Sequence, residues 1–152
     1  MITVPAAELA SYIDRELEPT EWFVIDQERV NAFADATLDH QYIHLDEAKA
    51  SQTPFGGTIV HGYLTLSLLP YFTGKSGVSP EGLVMAINYG SDKVRFLQPV
   101  RVGSAVRCHM VLKEVTERGP GQLLAKSQVT IEIQGQDKPA LIAEVLSLFV
   151  VQ

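Results

Sequence analysis

Thr58-Ile-Val-His-Gly-Tyr-Leu-Thr-Leu-Ser-Leu-Leu-Pro-Tyr-Phe72 is the most continuously apolar stretch of the chain, and its reading decides the fold. Gly57 bounds it upstream and Gly74 downstream, so it reads as a helix beginning near His61 or Gly62. Apolar side chains occupy nearly every face, as they do on a buried helix. Pro70 argues against full regularity near its end. Such a helix needs a wrapper, and everything after Ser79 supplies one. Residues 83–89, 93–96, 105–116, 123–133 and 140–150 read as strands from their β-branched content and partial alternation, clearest where Val129, Ile131 and Ile133 share one face. The first two can be one long strand bent at Gly90. Arg118-Gly-Pro-Gly-Gln122 and Gln134-Gly-Gln-Asp-Lys-Pro139 are hairpin connections. Helices early and a meander late predict an α+β fold, a curved antiparallel sheet wrapped around one long buried helix, in a single domain over residues 1–152.

Upstream, residues 6–16 are loosely helical through Leu9, Tyr12 and Ile13, and residues 22–25 form a short strand candidate. Asp26 suits the N-cap of a helix whose apolar stripe is Val30, Phe33, Ala34 and Leu38. Asp46 caps a second short helix over residues 47–51, after which Pro54-Phe-Gly-Gly57 breaks the chain. Between the two helices stands Asp39-His40-Gln41-Tyr42-Ile43-His44, expected as a loop that can point polar side chains into a cleft. A carboxylate and an imidazole held near a substrate, away from bulk water, are the parts of acid–base chemistry. Taken alone, Asp39 reads more readily as a turn-forming or capping acid and His44 as a hydrogen-bonded packing residue.

Composition narrows the class. A chain of 152 residues, 46% hydrophobic and 20% charged, can close its own core and is neither disordered nor membrane-spanning in composition. The net charge of −6 argues against nucleic-acid binding, which calls for a basic face. The one cysteine, Cys108, can form no intramolecular disulfide and reads as a buried structural thiol. No apolar stretch approaches the roughly twenty residues of a membrane helix, and the N-terminus lacks a secretory pattern, so the expected address is cytoplasmic. One Cys and four scattered His lack the spacing of a metal site, and no nucleophile elbow is present.

Three pieces in order carry a resemblance: Asp39-x-x-x-Ile43-His44, then Gly57-Thr-Ile-Val-His61-Gly62-Tyr-Leu-Thr-x-Ser67-Leu, then Asn88-Tyr-Gly-x-x-Lys93-Val-Arg-Phe96. From about Trp22 onward the chain resembles a MaoC-like dehydratase domain, the (R)-specific enoyl-CoA hydratase group of the hotdog fold, in its NodN-like branch. It departs from the usual Asp-x-Asn-Pro-aliphatic-His pattern by placing Gln41 and Tyr42 where Asn-Pro stands, and Pro70 falls where the hydratases continue in unbroken helix.

The resemblance implies reversible addition of water to a trans-2-enoyl thioester. Asp39 would be the general base, His44 would orient the water and share in proton delivery, and the Gly62 amide would polarise the carbonyl. Gln41, Tyr42, His61 and Tyr63 would line the substrate, although His61 also suits a hydrogen bond that holds the loop. Lys93 and Arg95, on one strand face by alternation, would meet a phosphate of coenzyme A or else form a solvated face. Ser67, His40 and His109 are read as packing or exposed residues, and Tyr63, Tyr71 or Phe72 as tunnel lining. No metal or redox cofactor is required; coenzyme A enters as part of the substrate. The resemblance further implies a homodimer or dimer of dimers, which would cover the apolar strand Leu146-Ser-Leu-Phe-Val-Val151 if it lay at an open edge. A non-catalytic acyl-CoA-binding module and a thioesterase are the alternatives.

Overall fold

The computed structural model describes residues 1–152. Its main sheet has five strands in the order β2-β5-β6-β7-β4, all neighbours antiparallel: β2 (Phe23–Val24), β4 (Leu83–Phe96), β5 (Ala105–Gly119), β6 (Gln122–Ile133) and β7 (Leu141–Val151). Two further strands, β1 (Ile2–Val4) and β3 (Val78–Pro80), pair in parallel beside it. The helices are α1 (Gln27–Thr37), α2 (Tyr42–Leu45), α3 (Glu47–Ala50), α4 (Gly62–Ser67) and α5 (Leu69–Thr73).

Alternation fills the core. Val106, Cys108, Met110 and Leu112 of β5 and Val129, Ile131 and Ile133 of β6 are buried at every second position. Leu64, Leu68, Leu69 and Phe72 of the helical segment pack into the same cluster, with Leu141 and Ala143 of β7. Each buried Val, Leu, Ile, Met or Phe among them contributes about 1.5–3 kcal/mol of transfer free energy. Burial pushes the Cys108 thiol up to about 12. A smaller cluster, Val4, Leu9, Val78, Leu112 and Ala125, seats the N-terminal segment on the sheet.

The structure corrects several expectations. The single long helix is two short ones meeting at Leu68. Pro70 has no amide hydrogen for a bond four residues back, so it is accommodated in the first turn of α5, where that donor is dispensable. Nor is the segment buried all round: Leu64 and Phe72 are 5% and 1% exposed, whereas Tyr63 and Tyr71 are 69% and 47% exposed. Residues 6–16 form a 3-10 helix only over Ala6–Tyr12, because Asp14 takes a left-handed φ of 61° and docks its amide on Leu112 of β5.

The C-terminal strand is not an edge. β7 lies between β6 and β4, and the open edge is β4, with Val84, Met85, Ile87, Tyr89 and Phe96 exposed. Residues 83–96 form one strand, as the bend at Gly90 allowed, with register irregularities at 88–90 and 92–95. Lys93 has a φ of 51° inside the second of these, so alternation does not carry across it to put Lys93 and Arg95 on a common face. No helix is long and apolar enough to cross a membrane.

Candidate active site

Asp26 caps α1 by accepting from the Arg29 amide at 2.9 Å, and the helix ends at Leu38, whose left-handed φ of 64° turns the chain outward. Asp39, His40 and Gln41 follow as loop. His44 does not share that loop: it sits in α2, a single turn that swings its ring inward to 7% exposure. Asp46 then caps α3 by accepting from the Lys49 amide at 3.0 Å.

The two groups converge. Potential ligand atoms of Asp39, His44 and His61 all lie within 4.8 Å of one another. His44 Nδ1 donates to the Ile59 carbonyl at 2.6 Å, leaving Nε2 as the acceptor of a neutral ring. Burial holds the His44 pKa below its ordinary value; the Ile59 hydrogen bond opposes this, His61 adds to it, and Asp39 opposes it weakly. The His61 ring stacks on His44 with centroids 3.8 Å apart and planes 25° from parallel. Its Nε2 donates to the Asp39 carbonyl at 3.0 Å and lies 4.0 Å from the Asp39 carboxylate. The Asp39 side chain is 51% exposed in the single chain.

Spacing alone disclosed no set of metal ligands, yet these three side chains come together. Their geometry favours proton chemistry over a metal site: nearly parallel stacked rings send their in-plane lone pairs side by side, and His61 Nε2 is engaged with a carbonyl.

Gly62 begins α4 with His61 at the cap, and the Gly62 and Tyr63 amides take no backbone acceptor. A Cβ on Gly62 would meet the Phe96 ring at 3.1–3.3 Å, so glycine is demanded by close packing as well as by access. His44, Gly62, Tyr63, Thr65, Phe55 and Phe96 line a cavity of about 450 Å³. Two other cavities run along the helical segment. One of about 240 Å³ lies behind Pro70 and Thr73 against β4 to β7, and one of about 490 Å³ lies between Leu17, Trp22, Tyr71 and Lys75. The latter is the largest of the three but touches neither His44 nor Gly62; the first is lined by both, with Asp39 outside its lining.

The remaining sequence candidates separate. Tyr63 lies at the cavity mouth with its ring 5.6 Å from that of Phe96. Gln41 and Tyr42 are exposed at the start of α2, and Tyr42 does not line the cavity. His61 is 2% exposed, set behind the site instead of on its surface. Lys93 is paired with Glu144 at 2.6 Å, and an Arg95 amine donates to the neighbouring Val94 carbonyl. His109 is bound to Glu132 at 2.6 Å, beside Arg107, and His40 to Asp35 at 2.8 Å.

Sequence reasoning missed a supporting network. Glu47 accepts from the Thr58 amide at 2.7 Å and its hydroxyl at 2.8 Å, and lies 3.5 Å from Arg101. Gln27 Oε1 lies 3.0 Å from the same hydroxyl, sharing its hydrogen with Glu47, and the Gln27 amide donates to the His44 carbonyl at 2.8 Å. The hydrogen-bonded partners are 11 to 31 residues apart and Arg101 lies farther still along the chain, beyond any local motif.

Residues 8–133 match the family described as MaoC like domain. The chain belongs to the MaoC-like domain family. A 3-hydroxyacyl-thioester dehydratase Z of Mycobacterium tuberculosis is 44% identical over 144 residues, covering 95% of each chain. Nodulation protein N of Rhizobium leguminosarum bv. viciae is also 44% identical, over 145 residues, covering 93% of this chain and 89% of the relative. Among solved structures, the (R)-hydratase of A. caviae involved in PHA biosynthesis superposes with a TM-score of 0.71 at 27% identity, over 88% of this chain and 95% of that one. The fold is the hotdog fold, and the protein is an enzyme of the hydro-lyase class.

Proposed function

We propose that this MaoC-like domain catalyses reversible hydration of a trans-2-enoyl thioester, carried on coenzyme A, to the 3-hydroxyacyl thioester. The convergence of Asp39 with a neutral, backbone-anchored His44 beside the Gly62 amide supports this reading above all else. Nε2 of His44 accepts a hydrogen bond from the reacting water, and the Asp39 carboxylate takes its proton as oxygen bonds to C3. The C2–C3 electron pair moves onto the thioester oxygen, where the Gly62 amide stabilises the developing enolate. Collapse of the enolate returns that electron pair to C2, which takes up the proton that Asp39 drew from the water, passed directly or through His44 Nε2. The reverse order removes water. No step calls for a metal or a redox cofactor.

The exposed edge of β4 and the half-exposed Asp39 support a homodimer, in which a partner covers both. Phe96 ties the two features together: it belongs to that edge and lines the cavity with Gly62.

Short and medium trans-2-enoyl-CoA, followed by conjugated-thioester absorbance and free thiol in parallel, tests the proposal beside a folded Asp39→Asn variant. Absorbance loss without thiol release, reduced by about 10²-fold or more in the variant, is expected. Thiol release would instead make the protein a thioesterase. Thermal stabilisation by these ligands without turnover would make it a binding module.

A further inference from the structure

His61 performs no step of the proposed reaction, yet it is held by all of its parts. Its ring edge donates to the Asp39 carbonyl at 3.0 Å, and its face lies on His44 at 3.8 Å. Phe33 of α1 backs it, with centroids 5.1 Å apart. Its carbonyl accepts from the Leu64 and Thr65 amides at 3.0 and 3.2 Å, which starts α4 at Gly62. Base, imidazole and amide donor thus meet through one buried residue.

The bond to a carbonyl fixes the tautomer. Nε2 carries the proton, so Nδ1 is a bare acceptor, and that atom is buried without a partner. A second proton there would be a buried donor with no acceptor.

We propose that His61 is a positioning residue, one that sets the spacing of Asp39 and His44 by clamping the loop with its ring edge and the imidazole with its ring face. The proposal rests on the hydratase reading above. The titratable groups that act on His44 are Asp39 from the loop and His61 from the cap of α4. Glu47 is occupied beyond Thr58 with that residue and Arg101, and α1 presents the neutral Phe33 and Gln27. Burial is the main cause that lowers the proton affinity of His44, and His61, whose ring lies 3.8 Å away, adds to it electrostatically.

Two substitutions separate edge from face. His61→Phe keeps a ring on His44 and removes the donor, whereas His61→Gln keeps a donor for the Asp39 carbonyl and removes the ring. For folded variants, His61→Phe is expected to lower kcat roughly 10- to 100-fold with KM within a few-fold, as supporting residues that misplace a reacting group do. His61→Gln is expected to lose less in kcat while the acidic limb of its kcat/KM profile moves to higher pH. Histidine-ring NMR titration gives a readout independent of turnover: the His44 midpoint rises in both variants, which remove the electrostatic effect of His61, and rises further in His61→Gln, which also uncovers the His44 ring face. Wild-type kcat, pH profile and His44 titration in both variants would overturn the proposal and leave His61 as core packing. If His61→Phe fails to fold, His61→Gln decides by itself. A wild type that hydrates no enoyl thioester would sink the hydratase reading alone; the clamp would then stand or fall on whether His44 shifts in His61→Gln.

Discussion

His44 shows how one residue couples burial to pH. Its folded pKa lies below the ordinary 6.5, so the unfolded chain binds the extra proton more readily than the folded one. Stability contributed by the neutral ring is therefore present above about pH 6.5 and is lost as pH falls through the lower folded value. Thermal melts of wild type and a His44→Gln variant between about pH 5 and 7 should show a steeper acid decline in the wild type. The same protonation removes the acceptor for water, so kcat/KM should fall on the acid side with a midpoint below 6.5, read from a pH–rate profile. Asp39 and His44 were legible in the sequence as a spaced pair in the order of a known motif. What spacing could not supply was the stack with His61, since Asp39 and His61 are 22 residues apart and meet only because α2 and the cap of α4 fold against one another.

The elements around the site were readable where local chemistry dictates structure. Asp26 and Asp46 cap helices as their side chains suggested, and β6 alternates as written. The misreadings came where tertiary context overrode periodicity. The apolar run that holds Tyr63 and Tyr71 looks buried all round, but both rings are exposed, against Phe96 and Phe23 at the two ends of the sheet order; β7 would be an open edge, but β4 lies outside it. The loop between α3 and α4 is the element on which the proposed catalytic geometry leans. Gly57 sits there at a φ of 150°, and a Cβ would run into the Arg101 guanidinium and the Glu47 carboxylate. Gly57→Ala should cost about 1–3 kcal/mol through backbone strain and displacement of that ion pair. A calorimetric melt should register this as a fall of roughly 2–4 °C per kcal/mol. Because Glu47 also holds Thr58, and Ile59 holds His44, kcat should fall with it, and a variant with wild-type kcat would show that the loop does not support the site.

At the scale of the whole molecule, the open edge of β4 is the conspicuous incompleteness. Ile87→Lys combined with Tyr89→Lys should convert the proposed dimer on analytical ultracentrifugation into a folded monomer, and activity should fall with the proposed cover over Asp39. A wild type that sediments as a monomer would remove that role from the edge. The interior offers its own means of observation. Cys108, the chain's sole thiol, lies 2% exposed between β5 and the helices, with its proton held to about 12. The nucleophilic thiolate is absent from the closed fold at neutral pH, so alkylation must await an opening of the sheet. Iodoacetamide labelling then becomes a clock for global breathing: it should be slow in the native protein, faster in Gly57→Ala, and slower again when a bound thioester holds the fold shut.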